Sequence, residues 1–212
     1  MEGQLRDYTM TLDRFRPVFA GPISRLAKIF ADTGITPNQV TLASLLFSAA
    51  AGLCYALGAA NIILIGAALI FVVLNSLFDA LDGSMARYLL INDKAGDFLD
   101  HVVDRYADVF IVGGLIFGGY AGWGIGLFTM VGILLTSYLG TQAQALSIGR
   151  FYGGIMGRAD RLVLIMAASL LHIIYPQAIF GYTLLGWSLI LMGIASHVTA
   201  LQRIHFIRTR LG

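Results

Sequence analysis

Six aspartates lie in a stretch of 26 residues that is otherwise largely apolar, and four of them are spaced as two pairs. Asp79 and Asp82 lie near the end of one apolar run, and Asp100 and Asp104 lie near the start of the next. A carboxylate near the centre of a bilayer costs about 2.5–3.5 kcal/mol on insertion scales, so four of them require a compensating partner. Carboxylate oxygens without a nearby cluster of Cys or His favour Mg²⁺ or Mn²⁺ over zinc. The segment therefore predicts a divalent-metal site.

The spacing of these residues predicts two facing helices. One helix face carries Asp79, Asp82, Gly83 and Ala86. Residues separated by three, four and seven positions share a face of an α-helix, and so do the second pair of aspartates, which are four positions apart. A polar turn within residues 88–95 allows the two helices to run antiparallel. Two pairs of carboxylates can then face each other across one helix pair.

Small residues and one arginine accompany the carboxylates. Gly83 and Ala86 remove side-chain bulk on the acidic face, where a ligand can approach the backbone, although small residues also serve helix packing. Arg87 follows directly and supplies a fixed cation whose planar fork suits a phosphate group. The combination indicates a pocket for a metal-bound phosphate compound.

The composition is that of a membrane protein. The chain has 212 residues, of which 58% are hydrophobic and 12% charged, and this excludes an ordinary soluble domain. One helical crossing of a bilayer needs about 20 apolar residues. The apolar stretches lie near 39–57, 62–82, 98–118, 123–147, 161–175 and 182–202. The predicted fold is all-α, with six transmembrane helices.

An amphipathic segment precedes the first crossing. Residues 8–30 alternate charged and apolar side chains, which predicts a helix lying in the headgroup plane. The run Thr36-Pro37-Asn38 then provides residues that commonly begin a helix. We expect residues 1–38 to form an N-terminal juxtamembrane segment and residues 39–212 to form one six-helix membrane domain.

The distribution of charge predicts the orientation in the membrane. The net charge is only +2, but the connections at residues 58–61, 118–122 and 175–181 carry no charge at all. By the positive-inside rule, both termini and the acidic motif face the cytoplasm. A cation transporter or channel is the main alternative class, because intramembrane carboxylates also mark ion pathways. Such a protein would distribute its acidic residues along the membrane depth, whereas here they are concentrated at the predicted cytoplasmic ends.

The pattern D-x2-D-G-x2-A-R-x8-G-x3-D-x3-D resembles the signature of the CDP-alcohol phosphotransferases. The matching residues are Asp79, Asp82, Gly83, Ala86, Arg87, Gly96, Asp100 and Asp104. The resemblance extends to Thr36-Pro37-Asn38, to the six helices and to the N-terminal surface helix, and so covers most of the chain.

The resemblance implies a metal-dependent transferase. Two Mg²⁺ ions, or Mn²⁺ in their place, would be held by Asp79, Asp82 and Asp100, with Asp104 also close to metal. Asp104 would act as the general base on an acceptor hydroxyl, whose oxygen attacks phosphorus while CMP leaves. The residues implied in CDP binding are Pro37, Asn38, Asp79, Gly83, Ala86, Arg87 and Asp93. The implied partners are a CDP-alcohol donor, an alcohol acceptor, membrane lipid and a second copy in a homodimer, but no nucleic acid.

The second half resembles the inositol-phosphate branch of this family. The stretch from Tyr138 to Gly149 is similar to a tyrosine-containing helix of that branch, and the pair Gly153-Gly154 follows it. The cations implied in acceptor binding are Arg150, Arg158 and Arg161. Inositol 1-phosphate is therefore the expected acceptor. Gln142 and Gln144 lie where that branch usually carries Lys and Arg, so glycerol 3-phosphate, serine and free inositol stay open. The donor lipid also stays open among CDP-diacylglycerol, CDP-archaeol and a soluble CDP-alcohol.

Overall fold

The structure, a computed structural model, describes residues 16–91, 93–149 and 153–211. Over these residues the chain forms seven α-helices. They are α1 Arg16–Asp32, α2 Pro37–Gly58, α3 Ile62–Tyr88, α4 Lys94–Phe117, α5 Trp123–Ala145, α6 Arg158–Ile174 and α7 Leu184–Leu211. An isolated β-bridge joins Ile179 to Tyr182 in the loop before α7. The prediction of an all-helical fold is confirmed for the described part of the chain.

The six apolar stretches correspond to helices α2–α7. Four of these helices, α2, α3, α5 and α7, are long and apolar enough to cross a membrane. The α4 helix contains the acidic second half of the motif, and α6 is only 17 residues long. The chain is therefore a membrane protein by its helices, whereas the full number of six crossings stays a prediction.

The helices form two compact units. The first contains α1–α4 and extends to Gly119, and the second contains α5–α7 and starts at Tyr120. The division predicted at residue 38 separates a juxtamembrane segment from a membrane domain. It concerns location relative to the membrane and stays a prediction.

The α1 helix packs against α3 in the first unit. Its buried residue Ala27 contacts a small apolar cluster that includes Leu81 and Met85. The opposite side of α1 exposes Ile29, which is 59% accessible. The exposed surface of α1 also carries Arg25 and Lys28, and the place of this helix in the headgroup plane stays a prediction. The predicted segment began at residue 8, and residues 8–15 lie outside the described part.

The α2 helix lies against both α3 and α4, and two glycines allow the closest approach. A Cβ atom on Gly114 of α4 would lie 2.2 Å from the carbonyl oxygen of Gly52, and one on Gly52 would lie 2.2 Å from the carbonyl oxygen of Phe110. Both distances are shorter than any real contact, so only glycine fits at either position. Small residues of this kind let helix backbones approach closely in membranes. The contact fixes α4, and with it the aspartates, against α2.

Hydroxyl groups hold α5 to α7 in the second unit. The Oγ1 atom of Thr129 donates to the Leu189 carbonyl at 2.9 Å, and the Oγ1 atom of Thr136 donates to the Ser196 carbonyl at 3.0 Å. An apolar environment offers polar groups no water as a hydrogen-bond partner, so hydrogen bonds between helices stabilise the helix pair. These bonds fix the position of α7 along α5.

Candidate metal and substrate site

Three aspartates from two helices converge in the first unit. Asp79 projects from α3, and Asp100 and Asp104 project from α4, one helical turn apart. One carboxylate oxygen of each lies within 4.8 Å of the corresponding oxygens of the other two. All three side chains are partly buried, so water screens their mutual repulsion incompletely. A divalent cation among them would remove this repulsion.

The chemistry of this group fits a hard metal ion. Among the residues that the structure describes, the group contains carboxylates and neither Cys nor His. Such oxygen donors suit Mg²⁺ and Mn²⁺, which are also the ions that bind together with phosphate groups in enzymes. The donor set therefore fits the ions that the sequence predicted.

The fourth predicted ligand, Asp82, lies beside this group rather than in it. It is 5% exposed on α3, and its carboxylate interacts electrostatically with Asp79 and Asp100. Its Oδ2 atom accepts a 2.6 Å hydrogen bond from the Oγ1 atom of Thr41 on α2. A hydroxyl that donates to a carboxylate oxygen fixes the rotamer of that side chain. Asp82 as a ligand stays a prediction.

Sequence reasoning did not identify Thr41. It is 4% exposed and is separated from Asp82 by 41 positions in the chain, so no local pattern connects the two residues. The only signal available was its position four residues after Pro37, on the same face of α2.

The predicted nucleotide residues come from the starts of α2 and α4 and from the end of α3. A Cβ atom on Gly96 would lie 3.4 Å from the Oδ1 atom of Asn38, so the N-termini of α2 and α4 are adjacent. Asp93 caps α4, because its carboxylate accepts hydrogen bonds from the backbone N–H groups of Ala95 and Gly96 at 3.0 and 3.2 Å. The capping role of Asp93 was not predicted from the sequence, and its contact with CDP stays a prediction.

Arg87 bends back along α3 towards the acidic face. A Cβ atom on Gly83 would lie 3.5 Å from the NH1 atom of Arg87, while the arginine itself is exposed. A guanidinium five positions after Asp82 can contact the phosphates of a metal-bound ligand. Pro37 lies at the first turn of α2 and Ala86 on the same face of α3 as Gly83.

Two cationic or titratable neighbours accompany the α4 aspartates. Arg105 was given no role from the sequence, yet its NH2 atom lies 3.4 Å from Asp104 Oδ2 and 3.8 Å from Asp108 Oδ2. The Nδ1 atom of His101 lies 3.9 Å from Asp100 Oδ2. Arg105 is therefore placed to orient the carboxylate of Asp104.

The predicted acceptor residues belong to the second unit. Arg158 and Arg161 lie in the first turn of α6, three positions apart and so on one side of the helix. Arg161 is 3% exposed, which is unusual for an arginine. Arg150 lies outside the described residues. Gln142, at a position where the inositol-phosphate branch usually has a cation, donates to the Tyr138 hydroxyl at 3.0 Å.

Comparison with known proteins identifies the family. Residues 34–200 match the family model of the CDP-alcohol phosphatidyltransferases. The archaetidylinositol phosphate synthase of Pyrococcus horikoshii is 33% identical over 200 residues, which are 94% of this chain and 98% of that protein. The phosphatidylinositol phosphate synthase of Mycobacteroides abscessus is 31% identical over 206 residues, which are 93% of this chain and 88% of that protein.

Solved structures agree with the sequence relatives. The phosphatidylinositol phosphate synthase of Mycobacterium tuberculosis in complex with manganese and citrate is 27% identical, with a TM-score of 0.75 over 88% of this chain and 89% of that one. The same enzyme with CDP-DAG bound has a TM-score of 0.72 over 87% of this chain and 92% of that one. The family model covers most of this chain, and the chain therefore belongs to the CDP-alcohol phosphatidyltransferase family, whose members are CDP-alcohol phosphotransferases.

Proposed function

We propose that this enzyme transfers a lipid-phosphate group from a CDP-lipid to a hydroxyl of inositol 1-phosphate and releases CMP. The observation that carries the proposal is the convergence of Asp79, Asp100 and Asp104 within 4.8 Å of one another. Family membership favours an enzyme over the alternative of a cation transporter or channel.

The four aspartates have two roles in the proposed reaction. Asp79, Asp82 and Asp100 hold two Mg²⁺ ions, which neutralise charge on the diphosphate of the donor when they are bound. Asp104 removes the proton from the acceptor hydroxyl as general base. The acceptor oxygen then forms a bond to the phosphorus that carries the donor alcohol, while the bond from that phosphorus to the CMP oxygen breaks. The products are CMP and a new phosphodiester.

Arg105 supports the role of Asp104 in this proposal. Its guanidinium lies 3.4 Å from one carboxylate oxygen of Asp104 and so fixes the direction of the other. A positioned base gains most of its effect from proximity to the hydroxyl that it deprotonates. Proximity is important here, because nearby metal ions stabilise the ionised form of a carboxylate and so make it a weak base.

The nucleotide end of the donor is proposed to lie over the small residues of α3. Gly83 and Ala86 leave room at the backbone, Arg87 contacts phosphate, and Pro37 and Asn38 approach from the start of α2. The adjacency of Asn38 and Gly96 supports this arrangement, because it brings the N-termini of α2 and α4 together. Helix N-termini favour anions such as the diphosphate.

A phosphorylated acceptor is favoured by two independent observations. The relatives from P. horikoshii and M. abscessus are synthases of inositol phosphate lipids. In this chain Arg158 and Arg161 lie together in the first turn of α6, and paired arginines are suited to binding phosphate. Glycerol 3-phosphate would use the same arginines, whereas serine and free inositol would not.

The donor is proposed to be a CDP-lipid, either CDP-diacylglycerol or CDP-archaeol. The mycobacterial structure contains CDP-DAG, and the relative from P. horikoshii synthesises an archaetidyl lipid. The family resemblance also implies a homodimer. The distribution of charge indicates that the termini and the active site face the cytoplasm.

An acceptor screen tests the proposal directly. Purified enzyme is supplied with Mg²⁺ and either CDP-diacylglycerol or CDP-archaeol, and CMP release is measured with inositol 1-phosphate, glycerol 3-phosphate, serine or free inositol. We expect inositol 1-phosphate to give the highest kcat/KM, and Asp104→Asn to abolish turnover with every acceptor. Full turnover by Asp104→Asn would contradict the general-base role, and a preference for serine or free inositol would contradict the phosphorylated acceptor.

A further inference from the structure

The segment of residues 153–157, which leads into α6, is attached by its backbone to side chains of α7. The backbone N–H of Met156 donates to Thr199 Oγ1 at 3.1 Å, and the N–H of Ile155 donates to Gln202 Oε1 at 3.2 Å. Thr199 is fully buried. Two successive backbone N–H groups of this segment therefore donate to side chains of one helix, and the two pairs are separated by 43 and 47 positions in the chain.

The segment also lies in direct contact with α7 at Gly154. A Cβ atom at this position would lie 2.2 Å from the Cγ2 atom of Thr199, and the backbone has a φ of +136°. Both observations require glycine, one because of space and the other because side-chain-bearing residues rarely adopt this conformation. Thr199 therefore fixes the segment with its hydroxyl and its methyl group together.

A buried arginine completes the attachment. Arg203 is 5% exposed; its Nε atom donates to the Gly153 carbonyl at 3.1 Å and its NH1 atom to the Thr136 carbonyl on α5 at 2.6 Å. A buried cation is costly unless it is well hydrogen-bonded. In the sequence, Arg203 does not differ from the other cations of the C-terminal helix. Its burial and its bonds connect the segment to α5 as well as to α7.

The end of this segment is the start of α6. The backbone N–H of Gly157 donates to Asp160 Oδ2 at 2.8 Å, which caps the helix. Arg158 and Arg161 follow within the first turn. The positions of these two arginines therefore depend on where residues 153–157 are held.

We propose that Thr199, Gln202 and Arg203 are positioning residues for the acceptor phosphate: they hold residues 153–157 and thereby place Arg158 and Arg161. The inference rests on the proposed role of these two arginines in acceptor binding. Arginine binds phosphate best through two parallel N–H bonds, whose geometry tolerates little displacement. A displacement of about 1 Å can reduce a rate by about a hundredfold in a positioned site.

Thr199→Val tests the proposal, because valine keeps the shape of threonine and removes the oxygen that accepts from Met156. We expect the KM for inositol 1-phosphate to rise by about tenfold, the change that corresponds to one lost hydrogen bond. The KM for the CDP-lipid and the half-saturating Mg²⁺ concentration should stay within about twofold of wild type. The lost hydrogen bond, which corresponds to about tenfold, lies at residues 153–157 and not at the metal or nucleotide residues. Thr199→Ser keeps the hydroxyl and should restore most of the acceptor affinity.

A matched control separates this effect from a general loss of stability. Thr129 of α5 is also fully buried, and its hydroxyl donates to the Leu189 carbonyl of α7 rather than contacting residues 153–157. Thr129→Val should therefore lower thermal stability as Thr199→Val does, but leave the KM for the acceptor unchanged. A proportional rise of acceptor KM in both variants would overturn the proposal.

Two further variants keep the test decisive. Gln202 is only partly buried, so Gln202→Leu should fold even if Thr199→Val does not, and it should raise the same KM. Arg158→Ala reports on the underlying function. If Arg158→Ala raises the acceptor KM but Thr199→Val and Gln202→Leu do not, the positioning role alone is wrong. If Arg158→Ala leaves that KM unchanged, the acceptor site and the positioning role are both wrong.

Discussion

Asp82 combines a structural contact with a proposed function in metal binding. Its Oδ2 atom accepts the hydrogen bond from Thr41 on α2. Because both side chains are buried, the hydrogen bond is protected from exchange with water. Thr41 therefore restricts Asp82 to one orientation before any ion binds, and preorganisation of this kind lowers the entropic cost of binding.

Thr41→Val should weaken the response of the enzyme to Mg²⁺. The variant keeps the shape of the side chain but cannot donate to Asp82, and the loss of one charge-assisted hydrogen bond corresponds to a change of about tenfold in affinity. Titration of CMP release with Mg²⁺ should show this increase in the half-saturating concentration, and direct Mn²⁺ binding should weaken in parallel. Thr41→Ser should behave as wild type. Identical Mg²⁺ curves for the valine variant and wild type would contradict the role of Thr41.

Asp79→Asn should change thermal stability in opposite directions with and without metal. Without metal, the substitution removes one of three carboxylates that lie within 4.8 Å of one another, so Tm should rise. With saturating Mg²⁺, wild type should gain stability through binding, whereas the variant should gain little. Asp97→Asn makes the same chemical change on α4 outside this group and should keep the full response to Mg²⁺. An equal gain in both variants would exclude Asp79 as a ligand.

At the residue scale, the sequence predicted contacts that depend on helical spacing and not those that depend on side-chain rotamers or on distant parts of the chain. The convergence of Asp79 with Asp100 and Asp104 follows from helix periodicity and a short turn. The bond from Thr41 to Asp82 and the contact of Arg105 with Asp104 do not, because they depend on side-chain rotamers and on the packing of α2.

At the element scale, hydropathy located the helices but not their ends. The apolar stretch near 62–82 corresponds to α3, yet the helix continues to Tyr88, and α4 starts at Lys94 rather than near residue 98. A helical backbone satisfies its own hydrogen bonds whatever its side chains are, so it continues through the polar motif. Capping by Asp93 determines where α4 begins, and this signal is independent of hydropathy.

Gly114→Ala should impair the enzyme through the contact between α2 and α4. The added methyl group would lie 2.2 Å from the Gly52 carbonyl oxygen, so α4 must move away from α2. Overpacking of this kind costs about 1–3 kcal/mol, and the displacement would also move Asp100 and Asp104 relative to Asp79. We expect a lower Tm and a lower affinity for Mg²⁺, measured by thermal unfolding and Mn²⁺ binding.

The neighbouring Gly113 provides the control for this prediction. A Cβ atom on Gly113 meets no other atom within 4 Å, although it lies on the same helix one position earlier. Gly113→Ala should therefore be neutral or slightly stabilising, because alanine has a higher helix propensity than glycine. Equal effects of the two substitutions would show that the α2–α4 contact is not responsible.

At the scale of the whole molecule, the two units carry different parts of the proposed chemistry. The proposed metal ligands belong to α3 and α4 of the first unit, and the arginines proposed to bind the acceptor belong to α6 of the second. Substitutions in the first unit should therefore change metal dependence, and those near α6 should change the KM for the acceptor. The order of the motifs predicted only that the acidic motif precedes the acceptor arginines along the chain. The attachment of residues 153–157 to α7 could not be predicted, because it joins backbone groups to side chains more than 40 positions away.

The orientation of the chain in the membrane is predicted from the distribution of charge. Because the connections at residues 58–61, 118–122 and 175–181 carry no charge while the motif turn and the C-terminal helix end carry several, the positive-inside rule places the charged ends in the cytoplasm. Six crossings would return the chain to that side and so agree with both termini being cytoplasmic. The prediction therefore has two parts: the chain crosses the membrane six times, and both termini lie in the cytoplasm.

Single cysteines can test this orientation, since Cys54 is the only cysteine of the chain. In a Cys54→Ala background, we expect Ala60→Cys and Gln177→Cys to react with a membrane-impermeant maleimide added to intact cells. Lys94→Cys and Thr209→Cys should react only in inverted vesicles; all four positions are exposed, so a lack of labelling reports the side of the membrane. Labelling of Ala60→Cys and Thr209→Cys from the same side would contradict the orientation, and labelling of Gln177→Cys together with Lys94→Cys would contradict six crossings.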